Sequence, residues 1–217
     1  MARRAIGLLG GSFNPAHDGH RHISLVALKR LRLHAVWWMV TPHNPLKDAA
    51  DLAPFEARFA SARRIARHPR IRITSIERDI GTTYTVDTLR VLVRRFPNIR
   101  FVWLIGADNL VQIATWERWQ EIFLMAPIAV FARPSYAFKA YASVAAHRFA
   151  GSRVAEARAR SLAWRTPPAW TFLHIRPHPG SASDIRARRA SPERSCAGEI
   201  REARVNEPRE PGHTSDH

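Results

Sequence analysis

Two kinds of apolar pattern alternate along the chain. Short, nearly continuous apolar runs predict buried strands, and longer stretches with apolar residues at every third or fourth position predict amphipathic helices. The predicted strands cover residues 5–9, 35–40, 71–77, 99–106, 127–133 and 171–175. The predicted helices cover residues 19–33, 54–67, 85–96, 108–123 and 139–163, and a further helix begins within 181–188.

Local signals refine three of these helices. Pro54 is predicted at a first helical position, where its missing N–H costs no hydrogen bond. In the helix over 85–96, one buried face is predicted to carry Val86, Leu89, Leu92 and Val93. The stretch 108–123 is compatible with one helix or with two shorter pieces.

The order of these elements predicts the fold class. Strands that alternate with helices at this spacing indicate βαβ units and an α/β, Rossmann-like, doubly wound and mostly parallel sheet with flanking helices. In such sheets ligands bind beyond the carboxyl ends of the strands. The segments predicted to share that face are 10–20, 41–47, 106–109 and 176–183.

Composition narrows the class of protein. The chain has 217 residues, enough for one sizeable core, and no apolar run approaches the ~20 residues of a membrane span. The apolar part of the opening MARRAIGLLGG is too short for a signal peptide, and a first strand is the preferred interpretation. A single cysteine, Cys196, excludes an intrachain disulfide framework. A cytoplasmic protein is predicted.

The formal net charge of +16 suggests an anionic partner. Only three of the 34 basic residues are lysines, and the arginines are spread over the whole chain instead of forming one stripe. An anionic small substrate suits this distribution as well as nucleic acid does, and we do not expect nucleic-acid binding as the main role.

The last part of the chain differs in composition from the rest. Residues 191–217 contain scarcely any large apolar residues beyond Ile200 and Val205. Such a segment cannot bury enough surface to offset its ordering entropy. One domain is therefore predicted over residues 1–190, followed by a disordered or divergent tail over 191–217.

The segment GGSFNPAHDGHR, residues 10–21, carries the first candidate chemistry. Gly10 and Gly11 follow a predicted strand, and glycine permits positive φ and close approach of backbone N–H groups to a ligand. His17 and His20 lie where a helix begins, so both imidazoles and the positive helix end suit a phosphate. The segment matches neither the P-loop nor the dinucleotide-binding fingerprint.

Other interpretations of this segment remain open. Glycine pairs after a strand often form purely structural turns, and both histidines could be exposed loop residues. A metal site formed by His17, His20 and His22 is a further alternative, although no nearby cysteine or H-E-x-x-H pattern completes a ligand set.

The segment SASDIRAR, residues 181–188, carries the second candidate chemistry. Ser181 and Ser183 can bond exposed helix N–H groups or a phosphate, and Arg186 one turn later supplies a bidentate donor. Helix capping alone would explain Ser183.

Six stretches of the chain together resemble a known family. In order along residues 6–188 they are GLLGGSFNPAHDGHR, TPHNPLK, GTTYTVDTL, WLIGADNLVQIATWERWQEI, FARPSY and SASDIR. They resemble the nucleotidyltransferase superfamily of adenylyl- and cytidylyltransferases, and more specifically the bacterial nicotinate-nucleotide adenylyltransferase family. The family's usual closing helix pair has no counterpart after Arg189.

The resemblance implies a reaction in which ATP and nicotinate mononucleotide give nicotinate adenine dinucleotide and pyrophosphate, a step of NAD biosynthesis. Its implied catalytic residues are His17 and His20, which hold the ATP phosphates, and Arg186, which cradles pyrophosphate with Ser181 and Ser183. The full set of implied ATP-binding residues is Gly10, Gly11, Ser12, Phe13, His17, His20, Gly106, Asp108, Ser181, Ser183 and Arg186. Mg²⁺ is expected as cofactor, carried mainly by phosphate oxygens and water, with no protein ligand named.

The resemblance also implies roles on the acceptor side. Asn44 and Lys47 are expected to meet the incoming phosphate, and Thr85 the nicotinate carboxylate. Trp116 is expected to stack on the pyridine ring, with a core position as the alternative. Asp108 is expected to bond a ribose hydroxyl, and Arg133 a phosphate.

Two other functions stay open at this point. One is the same chemistry on nicotinamide mononucleotide or phosphopantetheine, since no lone residue identifies the nicotinate carboxylate. The other is a non-catalytic nucleotide- or RNA-binding protein, which the charge and the unusual tail favour. Release of pyrophosphate from ATP distinguishes the two classes.

Overall fold

Six parallel strands form one sheet in the computed structural model, which describes residues 3–42 and 52–176. The strands are β1 (Arg4–Gly11), β2 (Ala35–Val40), β3 (Ile71–Thr74), β4 (Ile99–Gly106), β5 (Ile128–Phe131) and β6 (Trp170–Leu173). The α-helices in those ranges are α1 (Asp18–Arg30), α2 (Phe55–Ala66), α3 (Ile76–Asp79), α4 (Thr85–Arg95), α5 (Ala107–Gln112), α6 (Trp119–Met125), α7 (Ala137–Tyr141) and α8 (Val144–Arg148). Segments of 3₁₀-helix cover Ile113–Thr115, Ala150–Ser152 and Glu156–Trp164.

The strand order is β3-β2-β1-β4-β5-β6, and every pairing in it is parallel. This is the order of the doubly wound Rossmann-type sheet, so the predicted fold class is confirmed. The chain moves outward from β1 through β2 and β3, and then returns to place β4 on the other side of β1. A crevice therefore opens between the carboxyl ends of β1 and β4, where the direction of winding reverses.

Helices cover both faces of the sheet, which explains the nearly continuous apolar strands. One core cluster joins α1, α2 and the segment Glu156–Trp164 to one face. The second joins α4, α5, α6, α7 and α8 to the other face. Residues of β4 alternate between the two, with Val102 and Leu104 in the first cluster and Trp103 and Ile105 in the second. No helix in the described ranges is long and apolar enough to cross a lipid bilayer.

Most predicted elements agree with the structure to within a few residues. The strand predicted over 35–40 is β2, and that over 99–106 is β4. Pro54 is the residue that precedes α2 instead of its first helical residue, a difference within the usual uncertainty of helix boundaries. The stretch 108–123 forms two helices, α5 and α6, linked by the turn Ile113–Thr115.

The strand predicted over 71–77 is too long, because β3 ends at Thr74 and α3 begins at Ile76. The Thr74 hydroxyl accepts a hydrogen bond from the backbone N–H of Ile76 at 3.1 Å, which turns the chain out of the sheet. Ile76 still packs against the second core cluster. The apolar pattern therefore continues past the end of the strand.

The helical stretch predicted over 139–163 is broken into several short pieces. α7 ends at Tyr141, and Ser143 caps α8, since its hydroxyl accepts from the N–H of Ala146. Further on, the N–H of Val154 donates to the carbonyl of Trp170 at 2.7 Å, and Arg153 forms an isolated parallel bridge with Trp170. Pairing with β6 thus overrides the helical preference of an Ala- and Arg-rich stretch.

Val93 does not share the buried face of α4 as predicted. Val86, Leu89 and Leu92 are fully buried, whereas Val93 is 40% exposed. Phe96, which follows the helix, is half-buried and packs against the second core cluster, whereas Val93 faces away from it.

Candidate active site

Two histidines occupy the start of α1, directly beyond the carboxyl end of β1. His17 is the N-cap residue of α1, and its Nδ1 accepts a hydrogen bond from the N–H of Gly19 at 3.1 Å. The Nδ1 of His20 accepts from the N–H of His17 at 3.2 Å, which closes a capping box between the two rings. Their ring centroids are 3.9 Å apart. The prediction that the H-x-G-H spacing brings both imidazoles together is confirmed.

These hydrogen bonds determine the tautomer of both rings. A backbone N–H can only donate, so each Nδ1 must be an acceptor without a proton, and the proton of the neutral ring is on Nε2. His17 and His20 therefore each carry an N–H donor at Nε2, at the positive end of α1. Two such donors form a site suited to phosphate oxygens.

Residues from β2 and α1 hold His20 in place. The hydroxyl of Ser24 donates to the carbonyl of His20 at 2.8 Å and accepts from the indole N–H of Trp38 at 2.7 Å. Both Ser24 and Trp38 are fully buried. Phe13 stacks on Trp38 at a centroid distance of 5.1 Å and lies 4.8 Å from the His20 ring. Sequence reasoning missed Ser24 and Trp38, because nothing in their local pattern connects residues of different elements.

Gly10 and Gly11 differ from their predicted role in the turn. They are the last residues of β1 and pair with Met39 and Val40 of β2, so neither forms the turn. The positive φ of this segment falls on Phe13, at 47°. Gly10 is required for packing instead, because a Cβ there would lie 2.9 Å from the Trp103 ring.

The predicted ribose and phosphate contacts, Asp108 and Arg133, lie beside each other. Asp108 is in the first turn of α5, after β4, and Arg133 follows β5. The Nε of Arg133 is 3.1 Å from Oδ1 of Asp108, an ion pair without the alignment of a hydrogen bond. A Cβ at Gly106 would collide with Asp108 and lie 2.8 Å from Arg133 Nε. Only glycine leaves room for this pair at the end of β4.

The two predicted pyridine contacts lie on neighbouring helical segments. Thr85 is the first residue of α4, and Trp116 follows the 3₁₀ turn that ends α5. Trp116 is half-buried and packs against the second core cluster, and its indole N–H has no hydrogen-bond partner among the described residues. Its position at the edge of the core is compatible with both predicted roles.

A network of ion pairs ties these two segments together. Asp87 of α4 accepts from Arg90 at 2.7 Å and from Arg118 at 2.8 Å. Arg90 also contacts Glu121 of α6 at 2.6 Å. Asp87 therefore joins α4 to the loop that carries Trp116.

A buried carboxyl lies next to this region. Glu77 of α3 is 5% exposed, and the hydroxyls of Thr41 and Thr88 lie beside its carboxyl group. Burial raises its pKa to about 7, an effect that hydrogen bonding to these hydroxyls opposes. Its Oε2 has no hydrogen-bond partner in the described part of the chain. Sequence reasoning missed Glu77, since a strand was predicted there and a charged residue at a strand end is usually exposed.

Several predicted contacts lie outside the described residues. These are Asn44, Lys47, Ser181, Ser183 and Arg186. Ser12, another predicted ATP contact, lies inside the described residues and is half-buried directly after β1.

The alternative metal site of His17, His20 and His22 can be examined directly. Nε2 of His22 lies 3.1 Å from the carbonyl of Arg176. Within residues 3–42 and 52–176, no three His, Cys, Asp or Glu side chains are placed to hold a metal ion.

Known proteins resemble this chain over most of its length. Residues 8–188 match the family model described as cytidylyltransferase-like. A protein of Methylorubrum extorquens strain PA1, named "Probable nicotinate-nucleotide adenylyltransferase", is 56% identical over 169 residues, which cover 78% of this chain and 91% of the relative. A protein of Cereibacter sphaeroides strain ATCC 17023 with the same name is 50% identical over 182 residues, which cover 84% and 96%.

A solved structure supports the fold. The nicotinic acid mononucleotide adenylyltransferase of Plasmodium falciparum, complexed with NaAD, superposes with a TM-score of 0.63 at 18% sequence identity. The match covers 85% of this chain and 83% of that one. The extent of the family match and the identity to the bacterial relatives together place the protein: this chain belongs to the cytidylyltransferase-like family, and within it to the nicotinate-nucleotide adenylyltransferases.

Proposed function

We propose that the protein transfers the adenylyl group of ATP to nicotinate mononucleotide. An oxygen of the nucleotide's phosphate attacks the α-phosphorus of ATP, and the new P–O bond forms as the bond between the α-phosphorus and the bridging oxygen to the β-phosphorus breaks. The products are nicotinate adenine dinucleotide and pyrophosphate. The names of the bacterial relatives and the NaAD bound to the Plasmodium falciparum enzyme support this choice of acceptor.

The observation that carries the proposal is the histidine pair at the start of α1. Both Nδ1 atoms accept backbone N–H groups, so both rings present Nε2–H as donor. His20 donates to the α-phosphate and His17 to a neighbouring phosphate. As the α-phosphorus becomes five-coordinate its oxygens gain negative charge, and donors already in position stabilise that charge without reorganising.

The reaction needs no nucleophile or strong base from the protein. The attacking phosphate is an anion at neutral pH, and the leaving pyrophosphate is one as well. Catalysis is then placement of two anions in line together with stabilisation of charge. A pair of neutral N–H donors next to a helix N-terminus is suited to this task, because the positive end of the helix dipole stabilises the negative charges of both phosphate groups.

The acceptor contacts complete the proposed site. Trp116 stacks on the pyridine ring, and the start of α4 at Thr85 receives the carboxylate, since a helix N-terminus attracts an anion. Arg133 uses its two Nη groups for a phosphate while its Nε remains near Asp108. Asp108 accepts from a ribose hydroxyl. The remaining proposed contacts belong to the resemblance alone: Asn44 and Lys47 for the acceptor phosphate, and Ser181, Ser183 and Arg186 for pyrophosphate.

Mg²⁺ is proposed as cofactor, held by the triphosphate. The donors assembled here are imidazole N–H and guanidinium groups, which bind phosphate oxygens and cannot bind a cation. Bound to ATP, the metal neutralises phosphate charge. The proposed setting is a reducing cytoplasm, where Cys196 stays a thiol.

Pyrophosphate release tests the proposal. The protein is incubated with ATP, Mg²⁺ and, in separate reactions, nicotinate mononucleotide, nicotinamide mononucleotide or phosphopantetheine. Pyrophosphate and the adenylylated product are both quantified. We expect equal amounts of pyrophosphate and nicotinate adenine dinucleotide, with nicotinate mononucleotide the best acceptor. An ATP analogue with a methylene group between the α- and β-phosphorus serves as control, because its leaving bond cannot break.

Each other result contradicts part of the proposal. Release with phosphopantetheine alone would exclude a pyridine acceptor. Faster turnover of the amide than of the acid would reverse the assignment of the carboxylate. No release with any acceptor would favour a protein that binds nucleotides or RNA without catalysis.

A further inference from the structure

A buried arginine of α2 lies next to the turn that leads from β1 to the histidines of α1. Arg58 is 3% exposed, although its helix is otherwise covered in exposed charges. It shares the inward face of α2 with Ala62 and Ala66, which follow it at intervals of four residues and are also buried. The sequence shows this charged residue on the apolar face of the predicted helix, but the sequence analysis did not single it out.

Arg58 donates only to backbone carbonyls in the described part of the chain. Its Nε donates to Ala53 at 2.8 Å, one Nη to both Ser12 at 2.7 Å and Thr41 at 2.8 Å, and the other Nη to Pro42 at 3.0 Å. Four of the five guanidinium N–H groups are therefore used. The ion pairs among the described residues do not include Arg58.

The four carbonyls belong to three segments that meet at the site. Ser12 begins the turn between β1 and the histidines of α1. Thr41 and Pro42 follow β2 directly and precede residues 43–51, where the acceptor contacts Asn44 and Lys47 are proposed. Ala53 precedes α2, and its own N–H donates to Asn14 Oδ1 at 3.3 Å. One side chain thus joins the turn that precedes the histidines, here called the donor turn, to the residues that follow β2 and to the start of α2.

The energetics indicate more than a packing role. A buried guanidinium loses its hydration, and its hydrogen bonds to carbonyls offset that loss. Burial lowers the pKa of Arg58. An apolar side chain would fill the same space without this cost, but it would leave four carbonyls without their donor. The planar fork of arginine can reach all three segments, whereas a lysine ammonium cannot.

The contact with Ser12 also orients the donor turn. In a trans peptide the C=O and the following N–H point in opposite directions. Because the Ser12 carbonyl faces Arg58, the N–H of Phe13 faces away from it. Arg58 therefore holds the Ser12 carbonyl oxygen toward α2, and this oxygen, which would repel a phosphate, does not face the side of the turn to which the Phe13 N–H points. Phe13, with its φ of 47°, is held in this orientation.

We propose that Arg58 is a positioning residue for adenylyl transfer, which fixes the turn before His17 and His20 relative to the carboxyl end of β2 and the start of α2. The inference rests on the proposed function and adds a residue to it. Arg58 touches no substrate. Its effect is the placement of the two histidine donors against the reacting phosphate, and this placement governs turnover more than it governs the binding of either substrate alone.

The test compares Arg58→Lys with wild type and with Arg64→Lys, an exposed arginine of the same helix. Thermal unfolding is recorded first, and all kinetic measurements are made at least ~10 °C below each Tm. Steady-state assays then give kcat and both KM values, and calorimetry gives the Kd of ATP and of nicotinate mononucleotide separately. If Arg58→Lys does not fold, Arg58→Met, which keeps the unbranched stem, takes its place.

We expect Arg58→Lys to lower kcat by roughly 10- to 100-fold, the effect of a misplacement of about 1 Å. Each Kd should change by less than about threefold, and Arg64→Lys should match wild type. A merely structural role would lower Tm but leave the kcat of the folded variant within about twofold of wild type, and that result overturns the proposal. Wild-type protein without activity would instead refute the proposed function, and the role of Arg58 with it.

Discussion

The two halves of the site are held together over very different distances along the chain. In the donor half, defined by residues 10–20, the hydrogen bonds that bring the two histidines together join His17 to Gly19 and to His20, two and three positions apart. In the acceptor half, defined by Thr85, Trp116, Asp108 and Arg133, the supporting contacts are long-range. Asp87 and Arg118 are 31 positions apart, as are Arg90 and Glu121.

This difference predicts that mutations in the two halves affect different kinetic parameters. The pairing of the two histidines needs only the first turn of α1, because its capping bonds are local. The ion pairs of the acceptor half are 31% to 42% exposed, and such pairs contribute little individually. We therefore expect changes in the donor half to alter turnover, and changes in the acceptor half to alter acceptor binding.

The largest expected effect is that of His20→Ala. Loss of a donor to the charge that develops at phosphorus should lower kcat by roughly 10²-fold or more, while the fold survives. Steady-state pyrophosphate release measures the loss. His147→Ala, which removes an exposed histidine of α8, is the matched control.

His20→Asn separates the two functions of the ring. The amide oxygen of asparagine can replace Nδ1 as acceptor for the N–H of His17, but asparagine has no donor at the position of Nε2. We expect it to recover most of the ~1 kcal/mol of capping stability that alanine loses, without recovering turnover. Full activity in either variant would mean that the phosphates bind elsewhere.

The second effect is a pH dependence that arises at Glu77, where α3 meets the acceptor half. Its pKa is about 7 in the folded protein against 4.5 as the ordinary value, so the folded state binds the proton more tightly between those values. Stability conferred by the neutral carboxyl is complete below pH 4.5 and is lost as pH rises toward 7, by at most about 3 kcal/mol.

Glu77→Gln should remove that slope and stabilise the protein relative to wild type at pH 8. Urea unfolding of both proteins from pH 4.5 to 8 measures the difference. Glu56→Gln, at an exposed position of α2, serves as control. Parallel profiles for wild type and Glu77→Gln would show that the Glu77 carboxyl is already ionised across this range.

The third effect concerns the ion pairs of the acceptor half. Asp87→Asn weakens both bonds that hold Arg90 and Arg118, which frees the loop carrying Trp116. We expect the KM for nicotinate mononucleotide to rise about fivefold, equivalent to ~1 kcal/mol, with kcat and the KM for ATP nearly unchanged. Kinetics with each substrate varied in turn provide the check. A drop in kcat at constant KM would place Asp87 with the donor half.

The smallest expected effect lies outside both halves. Removal of residues 192–217, a segment outside the described ranges, should leave Tm nearly unchanged, because its composition offers little apolar surface to bury. Differential scanning calorimetry of the full and trimmed chains measures this. A decrease of more than a few degrees would show that the segment packs on the domain.

The sequence was informative about the site in proportion to how local its contacts are. The H-x-G-H spacing was enough to predict that His17 and His20 converge. It could not predict that Ser24 and Trp38 hold the His20 carbonyl, because that bond network needs β2 beside α1. Gly10 was assigned to the turn from its residue type, but it lies in β1. It must be glycine there because the ring of Trp103, over 90 positions away in the chain, leaves no room for a Cβ.

The sequence alone determined the period of each element, the alternation of strands and helices, and the chemistry available in the first turn of α1. These depend on neighbours within a few residues, where spacing sets which side chains share a face. Only the tertiary structure decided the burial of Arg58 and Glu77, the pairing of Asp108 with Arg133, and the extended segment that interrupts the helix predicted over 139–163. In each case the deciding partner lies on another strand or helix, and packing against it outweighs local preference.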